Sequence, residues 1–179
     1  MSASATNLAA DLRRAIRDVP DFPKPGILFK DITGVLADHA LFARAVHAMA
    51  APFAGDHVTY VAGIESRGFI LGAPVALAMG AGFIPLRKPG KLPSAVERVE
   101  YALEYGTDAL EVLHGALRAG HRVLIVDDVL ATGGTARAAC DLVNATGAHV
   151  VGCSFLLELT ALAGLAKLTG VRSHALLAV

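Results

Sequence analysis

A run of apolar residues, Val123-Leu124-Ile125-Val126, meets two acids, Asp127 and Asp128, and after Val129-Leu130-Ala131 passes through Thr132-Gly133-Gly134-Thr135 into a helical pattern. A run with no polar side predicts a strand buried on both faces, over His121 to Val126, that ends at the acids. The glycine turn predicts a helix over Thr135 to Ala145, because two glycines give the backbone freedom that a tight strand-to-helix turn needs. A strand buried on both faces must be covered by helices, so this one stretch constrains the chain to an α/β architecture. In open sheets of that kind ligands bind beyond the carboxyl ends of the strands, where this turn would sit.

The rest of the chain keeps the same alternation. Helices are predicted over Ala40 to Phe53, Gly68 to Met79 and Leu162 to Leu168, and strands over Val58 to Ile64, Phe83 to Leu86, His149 to Leu157 and Ser173 to Ala178. At the N-terminus Leu8, Leu12, Ala15 and Ile16 give an amphipathic helix over Asn7 to Asp18, which Val19 and Pro20 end. The stretch Pro20-Asp21-Phe22-Pro23-Lys24-Pro25-Gly26 is expected to be stiff and extended, leading into Ile27 to Ile32. The uncharged stretch from Gly68 to Leu86 is broken by Gly72, Pro74, Gly80, Gly82 and Pro85 into a helix and a strand, so it is read as core and not as a membrane span. The interval 87–111 interrupts the pattern with charge, Gly and Pro before alternating over Val99 to Tyr105, and is expected to form a mobile hood over a site. The fold expected is therefore a mostly parallel central sheet flanked by helices, in one domain of 179 residues, 54% of them hydrophobic.

Charge and cysteine usage narrow the function. Sixteen basic residues balance sixteen acidic ones, so no global field draws in nucleic acid or a membrane, and any anion site must be local. Cys140 and Cys153 fall in a predicted helix and strand with no metal-ligand spacing, which favours reduced core thiols and a cytoplasmic setting. Met1 to Arg17 has neither the apolar run of a signal peptide nor the acid-poor character of an import sequence. The seven histidines, His39, His47, His57, His114, His121, His149 and His174, are scattered, and no metal site is assigned to them.

The glycine turn itself points to phosphate. Backbone N–H groups at a helix start can close around a phosphate, with the hydroxyls of Thr132 and Thr135 as further donors. Asp127 and Asp128 suit sugar hydroxyls and a metal ion better than a bare phosphate, so the ligand implied carries both a phosphate and a sugar. A lone Asp-Asp or Gly-Gly would do no more than cap a helix; the ordered string after a strand asks for more. No Gly-Lys-Ser/Thr follows a glycine loop, and no Gly-x-Gly-x-x-Gly opens a helix after the first strand.

The string resembles the 5-phosphoribosyl-1-pyrophosphate (PRPP) motif of the type I phosphoribosyltransferases. The likeness extends to their adenine-using branch through Asp21 to Phe29, Gly63-Ile64-Glu65-Ser66-Arg67-Gly68-Phe69, Arg87-Lys88-Pro89-Gly90-Lys91-Leu92-Pro93 and Leu103-Glu104-Tyr105-Gly106-Thr107-Asp108. It implies the type I phosphoribosyltransferase fold, with residues 1–35 as a hood that receives the base and 87–111 as a flexible catalytic loop. It further implies that Ala131, Thr132, Gly133, Gly134 and Thr135 hold the 5-phosphate and that Asp127 and Asp128 hold the ribose hydroxyls. Glu65, Ser66 and Arg67, whose Glu-Ser bond is commonly cis in the family, would meet the pyrophosphate with Arg87, Lys88 and Lys91. Glu104 would exchange a proton with the base, and Arg67 would act with it in catalysis. Mg²⁺ would be carried mainly by PRPP, beside Asp127 and Asp128, and a homodimer is the default expectation.

For the base, the resemblance offers the aromatic face of Phe29 and the backbone of Leu28 and Lys30. Ala131 cannot titrate where related enzymes for 6-oxopurines carry an aspartate, which favours adenine. Lys30 replaces the arginine of many relatives, a change that spares a backbone contact but not a bidentate one. Two other readings stay open at this level: a PRPP-sensing regulator without catalysis, and an enzyme for another purine. A regulator would be expected to carry a DNA-binding module or to lack the hood residues, whereas Glu104, Lys88 and Lys91 are all present.

Overall fold

The N-terminal helical pattern forms α1 (Ala3–Ala15) and stops before Asp18, because Arg17–Pro20 extend as β1. In this computed structural model, which describes residues 3–103 and 106–179, β1 pairs antiparallel with β2 (Leu28–Asp31), Asp18 opposite Lys30 and Val19 opposite Phe29. The proline-rich stretch between them is a compact turn and not an extended arm. The Gly26 N–H donates to the Asp21 carboxylate at 2.7 Å, which folds the segment back on itself. The Phe22–Pro23 bond is cis, and the rings of Phe22 and Phe29 meet edge to face with centroids 5.1 Å apart. After α2 (Thr33–Ala37) and α3 (His39–Ala50), the chain divides into two compact units, Met1–Ala48 and Met49–Val179.

The second unit carries the predicted sheet. Its strands are β3 (Tyr60–Ile64), β4 (Gly82–Leu86), β7 (Arg122–Leu130), β8 (His149–Glu158) and β9 (Ser173–Ala178). They stand in the order β4-β3-β7-β8-β9, and every pair is parallel. Helix α4 (Arg67–Met79) connects β3 to β4, and α5 (Gly134–Ala145) connects β7 to β8. Val61, Ala62, Ile64, Val123, Leu124, Ile125 and Val126 are all buried, as strands covered on both faces require. Each fully buried side chain of this kind contributes roughly 1.5–3 kcal/mol relative to exposure. Leu142, Val143, Ala139 and Cys140 of α5 pack into the same core as Ile125, Phe155 and Leu110. Cys140 and Cys153 are both free and buried, with their Sγ atoms 3.6 Å apart.

In the second unit three segments differ from expectation. β7 does not end at the acids; it continues to Leu130, because backbone pairing of Asp127 with Phe155 and Leu130 with Glu158 is indifferent to side-chain charge. The interval read as a long loop holds an antiparallel hairpin, β5 (Val96–Leu103) with β6 (Gly106–Leu113). Arg98 and Glu100 are exposed at alternate positions of β5 while Leu110 and Val112 of β6 are buried, so part of the charge that reads as loop lies on the open face of a strand. The helix expected over Leu162 to Leu168 is instead two 3₁₀ turns, Thr160–Leu162 and Gly164–Leu168, separated by Ala163 at φ 50. The uncharged stretch from Gly68 to Leu86 forms most of α4 together with β4, and among the described residues no helix is long and apolar enough to cross a membrane.

Candidate active site

Because β4, β3 and β7 are adjacent and parallel, the segments that leave their carboxyl ends emerge side by side. Glu65-Ser66-Arg67 follows β3, Arg87-Lys88 follows β4, and Ala131-Thr132-Gly133 follows β7. Three motifs far apart in sequence are thus brought to one sheet edge by strand order alone.

At the end of β7, Gly133 caps α5 in the left-handed region, φ 78, and its carbonyl accepts the Arg137 N–H at 2.9 Å. The first amides of α5 have no acceptor within the helix, so they and the helix dipole form a ready anion site. A recess of about 330 Å³, counted with the solvent at its mouth, is lined by Asp127 and by residues 129–136. The back of this turn rests on the 3₁₀ segment. A Cβ on Gly133 would lie 2.3 Å from the Gly164 carbonyl oxygen, and one on Gly164 would lie 2.2 Å from that of Ala131. Sequence reasoning gave Gly164 no role, since a glycine inside an expected helix signals nothing by itself.

Asp127 and Asp128 both reach the start of α4. Asp128 Oδ2 lies 2.7 Å from Arg67 Nε as an ion pair, yet this buried oxygen has no aligned hydrogen bond. Asp127 Oδ1 accepts the Asp128 N–H at 2.9 Å and sits 2.9 Å from where a Cβ on Gly68 would stand, so only glycine admits it. Burial, reinforced by the charge of Asp128, pushes the Asp127 carboxyl well above the usual carboxylate range. Burial also raises Asp128, against the pull of the Arg67 guanidinium. A buried carboxylate oxygen without an aligned donor, beside a second carboxylate, suits sugar hydroxyls or a hard cation. Among the described residues no group of three or more His, Cys, Asp or Glu could hold a metal unaided, so an ion here would need ligand oxygens from a substrate.

The cations face Glu65, whose bond to Ser66 is cis. Glu65 accepts Arg87 Nε at 3.2 Å, the Lys88 N–H at 2.8 Å and Lys91 Nζ at 2.6 Å. Burial alone would raise its carboxyl, but the hydrogen bonds from Arg87, Lys91 and Lys88 outweigh that and hold it at about 2. Glu111 fixes the same segment from behind: its backbone bridges Arg87 with two 2.8 Å bonds, and its carboxylate takes the Gly90 N–H at 3.1 Å. The Lys88 ammonium leaves this group and pairs with Asp108, while also donating to Tyr101 Oη at 2.8 Å. Tyr101, Asp108 and Glu111 have no predicted role; their part follows from hairpin register, which sequence alone leaves unset.

The base segment lies in the first unit. Leu28 and Lys30 share a parity on β2, so their backbone groups point to one edge of the ribbon, and Leu28 is 49% exposed. The Lys30 ammonium is held by Asp18 at 2.7 Å, its partner across the ribbon. Glu104 and Tyr105 lie outside the described residues.

Comparison with known proteins agrees with this geometry. Residues 33–167 match the family described as phosphoribosyl transferase domain. The chain is 61% identical over 165 residues to the adenine phosphoribosyltransferase of Myxococcus xanthus (strain DK1622), covering 91% of this chain and 89% of that one. Its fold superposes on the crystal structure of adenine phosphoribosyltransferase from Rhodothermus marinus DSM 4252 with a TM-score of 0.94 and 51% identity, over 97% of this chain and 99% of that one. A second solved relative, adenine phosphoribosyltransferase from Saccharomyces cerevisiae complexed with an imino-altritol bisphosphate and adenine, gives a TM-score of 0.90 at 39% identity, covering 96% of this chain and 99% of that one. With an amide cradle, paired acids and a cationic loop at one sheet edge, and with likeness of this extent, the chain belongs to the phosphoribosyltransferase family, in its adenine phosphoribosyltransferase branch.

Proposed function

We propose that this protein transfers the phosphoribosyl group of PRPP to adenine, giving AMP and pyrophosphate. One observation carries the reading: an anion-binding helix start at α5 stands beside the buried carboxylate of Asp128 and the half-buried one of Asp127, in a chain 61% identical to an adenine phosphoribosyltransferase. The 5-phosphate is assigned to the residues from Ala131 to Thr135, and the ribose hydroxyls to Asp127 and Asp128. Leaving pyrophosphate is assigned to Glu65, Ser66, Arg67, Arg87, Lys88 and Lys91, whose cations meet charge as it develops on the departing oxygens.

In the reaction a ring nitrogen of adenine bonds to the anomeric carbon as the bond from that carbon to pyrophosphate breaks. Glu104 takes the proton that the base gives up, and Arg67 steadies the leaving group while holding Asp128. Mg²⁺, when bound with PRPP next to Asp127 and Asp128, supplies neutralising charge on the pyrophosphate oxygens. That fit is supported by the buried Asp128 Oδ2, which has no aligned hydrogen bond. The base is assigned to Leu28, Phe29 and Lys30 within a hood of residues 1–35. Because the Lys30 ammonium is committed to Asp18, its contribution to the base is that of its backbone. Ala131 supports adenine over 6-oxopurines, since no carboxylate stands at that point of the loop.

A homodimer in the cytoplasm completes the proposal. Leu77 and Ile70, one heptad apart on α4, are 82% and 46% exposed and give an apolar stripe suited to a second copy. The free, buried Cys140 and Cys153 suit a reducing compartment. The deciding experiment assays adenine, hypoxanthine, guanine and xanthine in parallel with PRPP and Mg²⁺. AMP and pyrophosphate should form in equal amounts from adenine and not from the oxopurines. PRPP binding without turnover of any base would overturn the enzyme reading in favour of a sensor.

A further inference from the structure

Two donors assigned to different parts of PRPP end on one carboxylate. The Thr135 hydroxyl, at the phosphate turn, donates to Tyr101 Oη at 3.3 Å, and that hydroxyl donates in turn to Asp108 Oδ2 at 3.2 Å. Lys88 donates to the same Tyr101 oxygen at 2.8 Å and pairs directly with the same Asp108 oxygen. Both lone pairs of the tyrosine hydroxyl are thereby used and its single proton is spent, so Asp108 Oδ2 is the terminal acceptor of both chains. Tyr101 and Asp108 are cross-strand partners in the β5–β6 hairpin, so the hairpin register itself sets this acceptor in place. Asp108 Oδ1 is anchored by the Ala109 N–H at 2.8 Å, which fixes the carboxylate's orientation.

We propose that Asp108 is an internal anion competing with pyrophosphate for Lys88, and that Tyr101 extends the competition to Thr135, so the hairpin sets the affinity of the site for its phosphate ligand. The proposal rests on the assignment of Lys88 to the pyrophosphate and Thr135 to the 5-phosphate. A ligand oxygen that draws the Lys88 ammonium out of the hairpin competes with Asp108 for it, and apparent affinity falls in proportion to the fraction of molecules in which Asp108 holds the lysine. The side chains of Arg87 and Lys91 pair instead with Glu65, on the loop after β3, and the hairpin reaches Arg87 only through the backbone of Glu111. Asp108 and Tyr101 are positioning residues: they act through Lys88 and Thr135.

A gain of affinity is the distinguishing result, since damage to a purely structural contact would not tighten a ligand. Magnesium pyrophosphate is titrated calorimetrically into the full chain, its Asp108→Asn variant, Lys88→Met and the double variant. Asp108→Asn should bind pyrophosphate about 3- to 10-fold more tightly, with a matching fall in the KM for PRPP and an unchanged KM for adenine. The gain in pyrophosphate affinity should vanish in the double variant. Tyr101→Phe, which keeps the ring, should tighten binding in the same direction by about 2-fold, and serves if Asp108→Asn does not fold. Unchanged or weaker pyrophosphate binding in these variants, or a gain that persists without Lys88, overturns the inference. Absence of PRPP turnover in the unmodified protein would instead count against the proposed function, and the direct titration separates the two.

Discussion

Glu65 and the Asp127/Asp128 pair sit a few residues from the same sheet edge, yet their surroundings push them in opposite directions. Glu65 is held at about 2 against an ordinary 4.5, so it binds fewer protons folded than unfolded within that window. Its contribution to stability is fully present above the unfolded value and is lost as pH falls from about 4.5 through about 2. Asp127 and Asp128 are raised, so they bind more protons folded, and their contribution is lost as pH rises above the ordinary carboxylate range. Glu65→Gln should therefore flatten the acid-side fall in melting temperature while lowering it at neutral pH, where Arg87 and Lys91 lose their anion. Thermal unfolding followed from pH 2 to 7 checks this, and an unchanged acid limb would remove Glu65 as its source. At this scale the motif strings could be picked out of the sequence, and the fold sets Glu65, Arg67, Asp127, Asp128 and Lys88 at or just beyond the ends of the adjacent strands β3, β7 and β4. Tyr101 and Asp108 could not, because their meeting depends on strand register, and a slip of one residue would put their side chains on opposite faces.

Among the elements, the phosphate turn depends on a neighbour that sequence reading placed in the wrong kind of structure. The 3₁₀ segment from Gly164 lies so close behind Ala131 and Gly133 that a single methyl would collide with backbone on either side. Backbone cannot move aside as a flexible side chain can, so Gly164→Ala should displace the turn. An increase of about 10-fold or more in the KM for PRPP is expected, with little change for adenine, because a misplaced donor costs roughly 1.5–3 kcal/mol where it meets a charged ligand. Leu165→Ala, at a 45% exposed neighbour, is the control and should leave PRPP kinetics unaltered. Steady-state kinetics of both variants decides it; equal KM values for PRPP would mean that the turn holds its shape without this brace. Apolar periodicity over Leu162 to Leu168 suggested a helix, but it does not report that Ala163 turns left-handed and splits the segment. In the hairpin, by contrast, the alternation from Val99 was visible and its length was not, since Glu97 and Arg98 look like loop until their partners are known.

Over the whole molecule, fold class was readable from one two-sided apolar strand, whereas the order β4-β3-β7-β8-β9 was not, because a sequence gives succession and not adjacency. That order sets the ends of β3, β4 and β7 together, and with them the segments proposed to meet phosphate. Assembly is also a property at this scale. Leu77 is 82% exposed on α4, and Leu77→Glu should shift the proposed dimer toward monomer in sedimentation equilibrium. A variant that stays dimeric would exclude this face, and a monomeric unmodified protein would exclude the dimer. The chain has two cysteines, both sealed in the core between α5 and β8. Neither offers sulfur to a water-borne alkylating dye, so one cysteine installed at Glu100, on the solvent side of the hairpin, would be a unique attachment point. A fluorophore there would test whether the hairpin moves during turnover without first stripping the protein of its own thiols.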